Sequence, residues 1–289
     1  MKIHGYSTAL FSTWILVEDF GVLFDAGDGV VASLLHKSRK AKTIAISHAD
    51  RDHVTGLLQL NQLNARDGIE RILYPADSGS FPALRDFVGA FDPENSGAFP
   101  WVPVEPGQRI GIGPGIQIEV VRNTHVASDL VKSVGYKIVQ TKRKLRPEFV
   151  GLSSGEIEVI VKTKGREAVT EEAEEIVVAY AGDTGVEPAD KWRGCQTLIH
   201  EATFIDSEDA VTTRSRNLHS RLADVLAMAR DAEPKRLILH HFSARYDHDR
   251  IRAEIGALAG ELGIDFPIYG IMPGEVSRDI LSSPPVWQP

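Results

Sequence analysis

An α/β fold with helices covering its sheets is the architecture this sequence predicts, and three observations predict it. Short apolar runs at 22–24, 43–46, 71–74, 176–180 and 236–239 alternate with segments of helical pattern. No stretch in the middle reads as a linker, so residues 1–289 are expected to form one unit. Six of the ten histidines, His48, His53, His125, His200, His240 and His241, stand at or just past the ends of expected strands, where α/β proteins collect chemistry.

In chain order, 14–17 and 22–24 read as strands joined by a hairpin turn at Glu18-Asp19-Phe20-Gly21, and a helix is expected over 30–37. Asp25, at the end of the second strand, either caps that helix or orients a metal-bound histidine. A strand at 43–46 precedes a helix at 54–65, followed by a strand at 71–74 and a helix at about 80–90. The loop at 92–97 leads to strands at about 99–104, 116–121 and 132–140. Thr141-Lys142-Arg143-Lys144-Leu145-Arg146 follows, with four cations in six residues, and Glu171 to Glu175 is its acidic counterpart at a strand entrance. The run is either a solvated face or a phosphate-contacting patch. A strand at 176–180 ends in Ala181-Gly182-Asp183-Thr184-Gly185, where glycines let one carboxylate project into a site, unless this is a plain turn. Strands at 197–200 and 236–239 and helices after Ser220 and over 247–262 complete the alternation. Ser220 is the expected N-cap, and 282–285 an irregular tail.

The composition, 43% hydrophobic and 25% charged, is that of an ordinary globular protein. The net charge of -8 argues against broad, non-specific nucleic-acid binding but leaves room for a local basic patch. No apolar run approaches the ~20 residues of a membrane span and no secretory signal pattern opens the chain, so a cytoplasmic protein is expected. The single cysteine, Cys195, excludes internal disulfides and reads as a core residue.

The densest chemistry lies in Ser47-His48-Ala49-Asp50-Arg51-Asp52-His53. Alternate residues of an extended chain point the same way, so His48, Asp50 and Asp52 can face one cavity while the helix entrance brings His53 round. A charged helix cap would need one Asp and no histidine. With His125 and Asp183, the cluster and the other strand-end histidines offer enough nitrogen and oxygen ligands for a pair of divalent ions. Such a pair sits ~3.5–4 Å apart and favours hydrolysis at phosphorus.

These motifs, in this order, resemble the metallo-β-lactamase superfamily and within it ribonuclease Z, the tRNA 3′-processing endonuclease, in its short form. The resemblance rests on His48 to His53, Ala181-Gly182-Asp183-Thr184, His200-Glu201-Ala202-Thr203-Phe204, His219-Ser220, His241-Phe242-Ser243-Ala244-Arg245-Tyr246 and the segment from Lys142 to Leu152. It implies a four-layer αβ/βα sandwich, with two mixed sheets face to face, outer helices and metals at one edge. By it, His48, Asp50 and His125 would hold one ion, Asp52, His53 and His241 the other, and Asp183 would bridge. His219, oriented by Glu201, would protonate the leaving 3′ oxygen while Asp52 assists the attacking water. Ser243, Arg245 and Tyr246 would sit near substrate phosphates. Lys142, Arg143 and Lys144 fall where the family carries an RNA-gripping arm, expected to be short here because no long Gly/Pro-rich excursion separates Tyr136 from Asp183. The family pattern His-x-His-x-Asp-His has Asp at position 50 in this chain. Zinc is the expected ion, with manganese or iron admitted by that extra carboxylate. The implied substrate is a tRNA precursor and the implied assembly a homodimer. Two other readings are a hydrolase of a small phosphodiester or cyclic nucleotide, and a non-catalytic RNA-binding relative impaired by Asp50.

Overall fold

A computed structural model describes residues 1–65, 68–95, 97–205 and 217–289. Ser96 of the expected 92–97 loop, and most of the loop before Asn217, lie outside the described residues. The first sheet contains β1 (Ile3–Thr8), β2 (Ser12–Val17), β3 (Val22–Phe24), β4 (Thr43–Ala45), β5 (Arg71–Pro75) and β6 (Trp101–Val104), in that spatial order. It begins antiparallel and becomes parallel from β3 onward. The second contains β7 (Arg109–Gly113), β8 (Ile116–Arg122), β9 (Val134–Leu145), β10 (Thr170–Tyr180), β11 (Thr197–Glu201), β12 (Leu237–His240) and β13 (Ile268–Gly270). Its order is the chain order, antiparallel from β7 to β10 and parallel from β10 to β13.

Strand periodicity builds the layers. Trp14 and Leu16 of β2 face α1 (Val30–Leu34) and the helices α3 (Leu57–Asn64) and α4 (Ser80–Phe91), while Ile15 and Val17 face the other sheet. The inter-sheet core joins Phe24, Ala45 and Leu73 to Tyr136, Val178, Tyr180, Ile199 and Ile238. A third apolar cluster packs Leu198, Leu237 and Leu239 under α6 (Leu222–Ala232) and α7 (His248–Leu262). Each fully buried Leu or Ile contributes ~1.5–3 kcal/mol, so these clusters fix which strand ends meet. The result is the four-layer sandwich of two mixed sheets with outer helices.

Several local expectations are corrected. β1 and β7 were not legible as strands, and the expected 54–65 helix is two pieces, α2 (Arg51–Val54) and α3, which places His53 on a helical turn. Ser220 does not cap α6: its hydroxyl donates to the Thr184 carbonyl, and the cap position is Arg221. The cationic run is the outer end of β9. Beyond Gln140, where β8 stops pairing, β9 and β10 continue as a two-stranded ribbon carrying α5 (Ser154–Lys164) at its tip. The excursion is therefore longer than expected. It was missed because it is regular secondary structure, entered by a capping box between Ser153 and Glu156, and no Gly/Pro-rich loop.

Candidate metal centre and acid dyad

The strand ends of both sheets converge on one edge. Tyr136 of β9 donates its hydroxyl to the Ile46 carbonyl at 2.7 Å, and the Val134 N–H donates to the Ser47 carbonyl at 2.9 Å. These links set the 47–53 segment against the second sheet. Gly182, at φ +67°, lets the chain pass so close to Ser47 that a Cβ there would lie 2.9 Å from the serine Cβ. Asp183 is thereby delivered to the histidines.

Five overlapping groups of candidate ligand atoms lie here among the described residues, and two of them, His48/Asp50/His125 and Asp52/His53/His241, flank Asp183 as separate trios, the atoms of each inside 4.8 Å of one another. Asp50 Oδ2 lies 3.7 Å from Nε2 of both His48 and His125. Asp52 Oδ2 lies 3.6 Å from Nε2 of both His53 and His241. Asp183 Oδ2 stands between the trios, 3.9 Å from His48 Nε2, 3.3 Å from His53 Nε2 and 3.1 Å from His241 Nε2.

The buried polar atoms test whether cations fit here. Among the described residues, Nε2 of His48, His53, His125 and His241 and Oδ1 of Asp183 are buried without a hydrogen-bond partner. An unpaired buried polar group costs ~1–3 kcal/mol, so five orphans aimed at one place are explained by ligands to cations. The opposite nitrogen of each ring is occupied. His48 Nδ1 meets Ser47 Oγ at 2.9 Å, His53 Nδ1 meets Asp25 Oδ2 at 2.8 Å, His125 Nδ1 meets the Leu218 carbonyl at 2.9 Å, and His241 Nδ1 meets Thr203 Oγ1 at 2.9 Å. Such partners fix tautomer and ring orientation so that Nε2 presents its lone pair. Burial, followed by the neighbouring His53 and His125, pushes His48 well below the usual histidine range, towards its ligand-competent neutral form. Burial opposes charge on His53 as well, but Asp183 and Asp25 outweigh it and raise that group. A cation there competes with a proton for Nε2.

Asp25 now has one role. Its buried carboxylate accepts from the Ser47 N–H at 2.7 Å, the Ser47 hydroxyl, His53 Nδ1–H and the Tyr180 hydroxyl at 2.5 Å, while α1 is capped by Gly29. It holds Ser47 and the candidate ligand His53 in place. Asp25 itself sits at φ +55° and His241 at φ +62°, left-handed conformations that cost a non-glycine residue ~1 kcal/mol or more. The hydrogen bonds around them offset that strain.

His219 and Glu201 form a second unit beside the ligands. Glu201 is fully buried at the end of β11 and accepts from the backbone N–H groups of Thr184 and Thr203, the Thr203 hydroxyl at 2.6 Å, and His219 Nδ1–H at 2.9 Å. The His219 ring stacks on His241, with centroids 5.4 Å apart, and meets His125 edge-on at 4.9 Å. Burial disfavours the imidazolium, but the adjacent Glu201 carboxylate raises His219 to about 9. This leaves Nε2–H as a proton donor facing the centre.

Other expected residues fall outside the trios. His200 turns its Nδ1 to the Glu201 carbonyl and packs edge-on to Trp192, while His240 Nδ1 meets Ser7 Oγ at 3.1 Å. Neither joins a ligand trio among the described residues. Ser243 donates its N–H to the Thr203 carbonyl, and Arg245 is exposed over the rings of Phe204 and Tyr246. Tyr246 is buried in the core beneath α7. On the ribbon, Lys142 pairs with Glu175 and Arg143 with Glu167, and Lys144 stands opposite Glu171. Cys195 is buried, and burial pushes its thiol up to about 12, so it is no nucleophile. No helix among the described residues is long and apolar enough to cross a membrane.

Sequence reasoning passed over Asn217, whose amide donates to Asp50 Oδ2 at 3.2 Å. Asp50 is half exposed, so this bond helps hold a ligand that packing does not. Asn217→Ala is expected to weaken ion retention at the Asp50 trio by ~10-fold, the low end for loss of a ligand's supporting partner. Isothermal titration with manganese checks this, and unchanged affinity would refute it.

A family model described as a β-lactamase superfamily domain matches residues 21–146. Ribonuclease Z from Methanopyrus kandleri is 29% identical over 250 residues, covering 83% of this chain and 84% of that protein. The tRNase Z TRZ1 of Arabidopsis thaliana is 27% identical over 272 residues, covering 89% and 90%. The crystal structure of the short form of human tRNase Z superposes with a TM-score of 0.56 at 19% identity, covering 85% of this chain and 94% of that one. The fold is that of the metallo-β-lactamase neighbours, and in sequence the chain is similar to ribonuclease Z over most of its length.

Proposed function

We propose that this protein is a metal-dependent phosphodiesterase that removes 3′ trailers from tRNA precursors. The observation that carries the reading is the His219–Glu201 dyad stacked against His241, which places a proton donor beside five orphaned ligand atoms. A simple metal store needs no such donor. His48, Asp50 and His125 would hold one ion, Asp52, His53 and His241 the other, with Asp183 between them. Divalent ions held there supply positive charge for the phosphodiester oxygens and acidify water.

The chain's own groups move the protons. Water attacks phosphorus, Asp52 accepts its proton, the bond from phosphorus to the 3′ oxygen breaks, and His219 Nε2–H protonates that leaving oxygen. Asp52 is held below the usual carboxylate range despite burial, by His241 and His53, so it is ionised at neutral pH. Glu201 keeps His219 charged and oriented. Ser243 and Arg245, which follow His241 in the chain, would contact phosphate, with the Tyr246 ring beneath the Arg245 guanidinium. The ribbon cations reach RNA only in competition with Glu167, Glu171 and Glu175, so changing Lys142, Arg143 and Lys144 together to Ala is expected to reduce the salt slope of pre-tRNA binding by about one to two. An unchanged slope would assign the run to solvation. A homodimer in a cytoplasmic setting completes the proposal.

Asp50 retunes the centre. Three carboxylates against two divalent ions leave a net charge near +1 and favour a harder ion such as manganese or iron over zinc. The test is cleavage of a pre-tRNA with a 3′ trailer under zinc, manganese, iron and no metal, with Asp50→His in parallel and metal content measured for both. Trailer removal by wild type with manganese or iron, and tighter zinc retention in Asp50→His, are the expected results. Two full zinc equivalents in wild type purified without added metal would count against the harder ion. Hydrolysis of bis(p-nitrophenyl) phosphate without trailer removal would overturn the tRNA reading.

A further inference from the structure

We propose that the depression between the β1–β2 turn and the segment 244–249 is a nucleobase subsite with Phe11 as its stacking platform. The inference rests on the RNA reading above and deepens it. The turn Ala9-Leu10-Phe11 exposes two large apolar side chains in succession, Leu10 at 88% and Phe11 at 65%, and Leu10 holds a left-handed φ of +71°. A leucine in that conformation is unusual for its bulk.

The turn is stitched to the segments that carry both ends of one ligand trio. The Ala9 N–H donates to the Phe242 carbonyl at 3.2 Å, next to His241. On the other side, the Gly27 N–H donates to the Thr13 carbonyl, and Gly27 fits so tightly that a Cβ there would lie 2.3 Å from the Asp52 carbonyl and 2.4 Å from Ser12 Oγ. The turn that carries Phe11 is thereby tied through the backbone to the segments that carry His241 and Asp52.

The depression encloses about 700 Å³, within the range of small-molecule sites. Tyr6 and Phe11 give it ring surface, and Asp249 and Arg252, paired at 3.8 Å, line its polar side with one charge of each sign. Asp247, also at its wall, already accepts from the Arg250 N–H. The carboxylates of Asp247 and Asp249 can accept from the exocyclic amino group of cytosine or adenine. The base enters the depression, and its phosphate stays with Arg245 and the ligand histidines.

The test pairs protein and substrate changes on a trailer-bearing pre-tRNA. KM and kcat are measured for wild type, Phe11→Ala and Phe11→Trp on the normal substrate and on substrates made abasic at each of the two nucleotides flanking the scissile bond. Base stacking is worth ~1–3 kcal/mol, so Phe11→Ala should raise KM ~5- to 150-fold with kcat little changed, and Phe11→Trp should restore it. At one of the two positions the abasic substrate should cost wild type a similar factor and Phe11→Ala nothing further. Unchanged KM in Phe11→Ala, equal loss in Phe11→Trp, or losses that multiply at both positions would overturn the subsite alone. If wild type cleaves no pre-tRNA at all, the RNA reading fails and the subsite with it.

Discussion

His219→Ala is expected to lower the rate of trailer removal by ~10²–10⁴-fold while the protein retains wild-type metal content. The separation is expected because His219 commits its Nδ1–H to Glu201 and stacks on His241 beside the two trios assigned to the ions. Glu201→Gln should give a smaller loss with a diagnostic change in pH profile. The carboxylate raises His219 to about 9, so the imidazolium is present below that pH and is lost as pH rises through it. Cations in the trios act on His219 in the opposite sense, which puts the alkaline limb at or below about 9. Removing the Glu201 charge takes away the attraction that held His219 protonated, and the limb should move to lower pH. A limb that stays in place in Glu201→Gln would show that another group donates.

Asp25→Ala should be the most damaging change outside the ligands. The substitution leaves the Ser47 hydroxyl, His53 Nδ1–H and Tyr180 hydroxyl buried without an acceptor. Breaking a buried charged pair costs ~3–5 kcal/mol, and loss of a partner that orients a ligand costs ~10–100-fold in metal affinity. Urea unfolding and metal titration read the two effects separately. Wild-type metal affinity in a folded Asp25→Ala protein would refute the orienting role.

The convergence of the candidate ligands was largely legible because it is local: four ligand-type residues crowd into 48–53, and the others stand at strand ends. What spacing cannot show is which way a strand-end histidine turns. His240 and His241 are neighbours, yet the left-handed φ of His241 sends one ring to the centre and leaves the other on Ser7. The supporting shell was mostly illegible for the same reason. Tyr180 meets Asp25 across 155 residues and Asn217 meets Asp50 across 167, contacts that sheet packing creates and no window of sequence contains. The helix on the ribbon was legible in principle, since Ser153 and Glu156 stand at capping-box spacing. Its lack of buried residues removed the periodic signal that would have drawn attention to it.

The two trios draw on both sheets, with His48 to His53 following β4 and His125, Asp183 and His241 following β8, β10 and β12. Ions bound there are cross-links between two halves that are otherwise joined by apolar packing. Metal occupancy and global unfolding are then thermodynamically linked, with each ion adding RT ln(1 + [L]/Kd) to stability. A change deep in the inter-sheet core that separates the halves slightly will register as metal loss before it registers as unfolding. Chelation, conversely, will lower the melting temperature of a molecule whose apolar core is untouched.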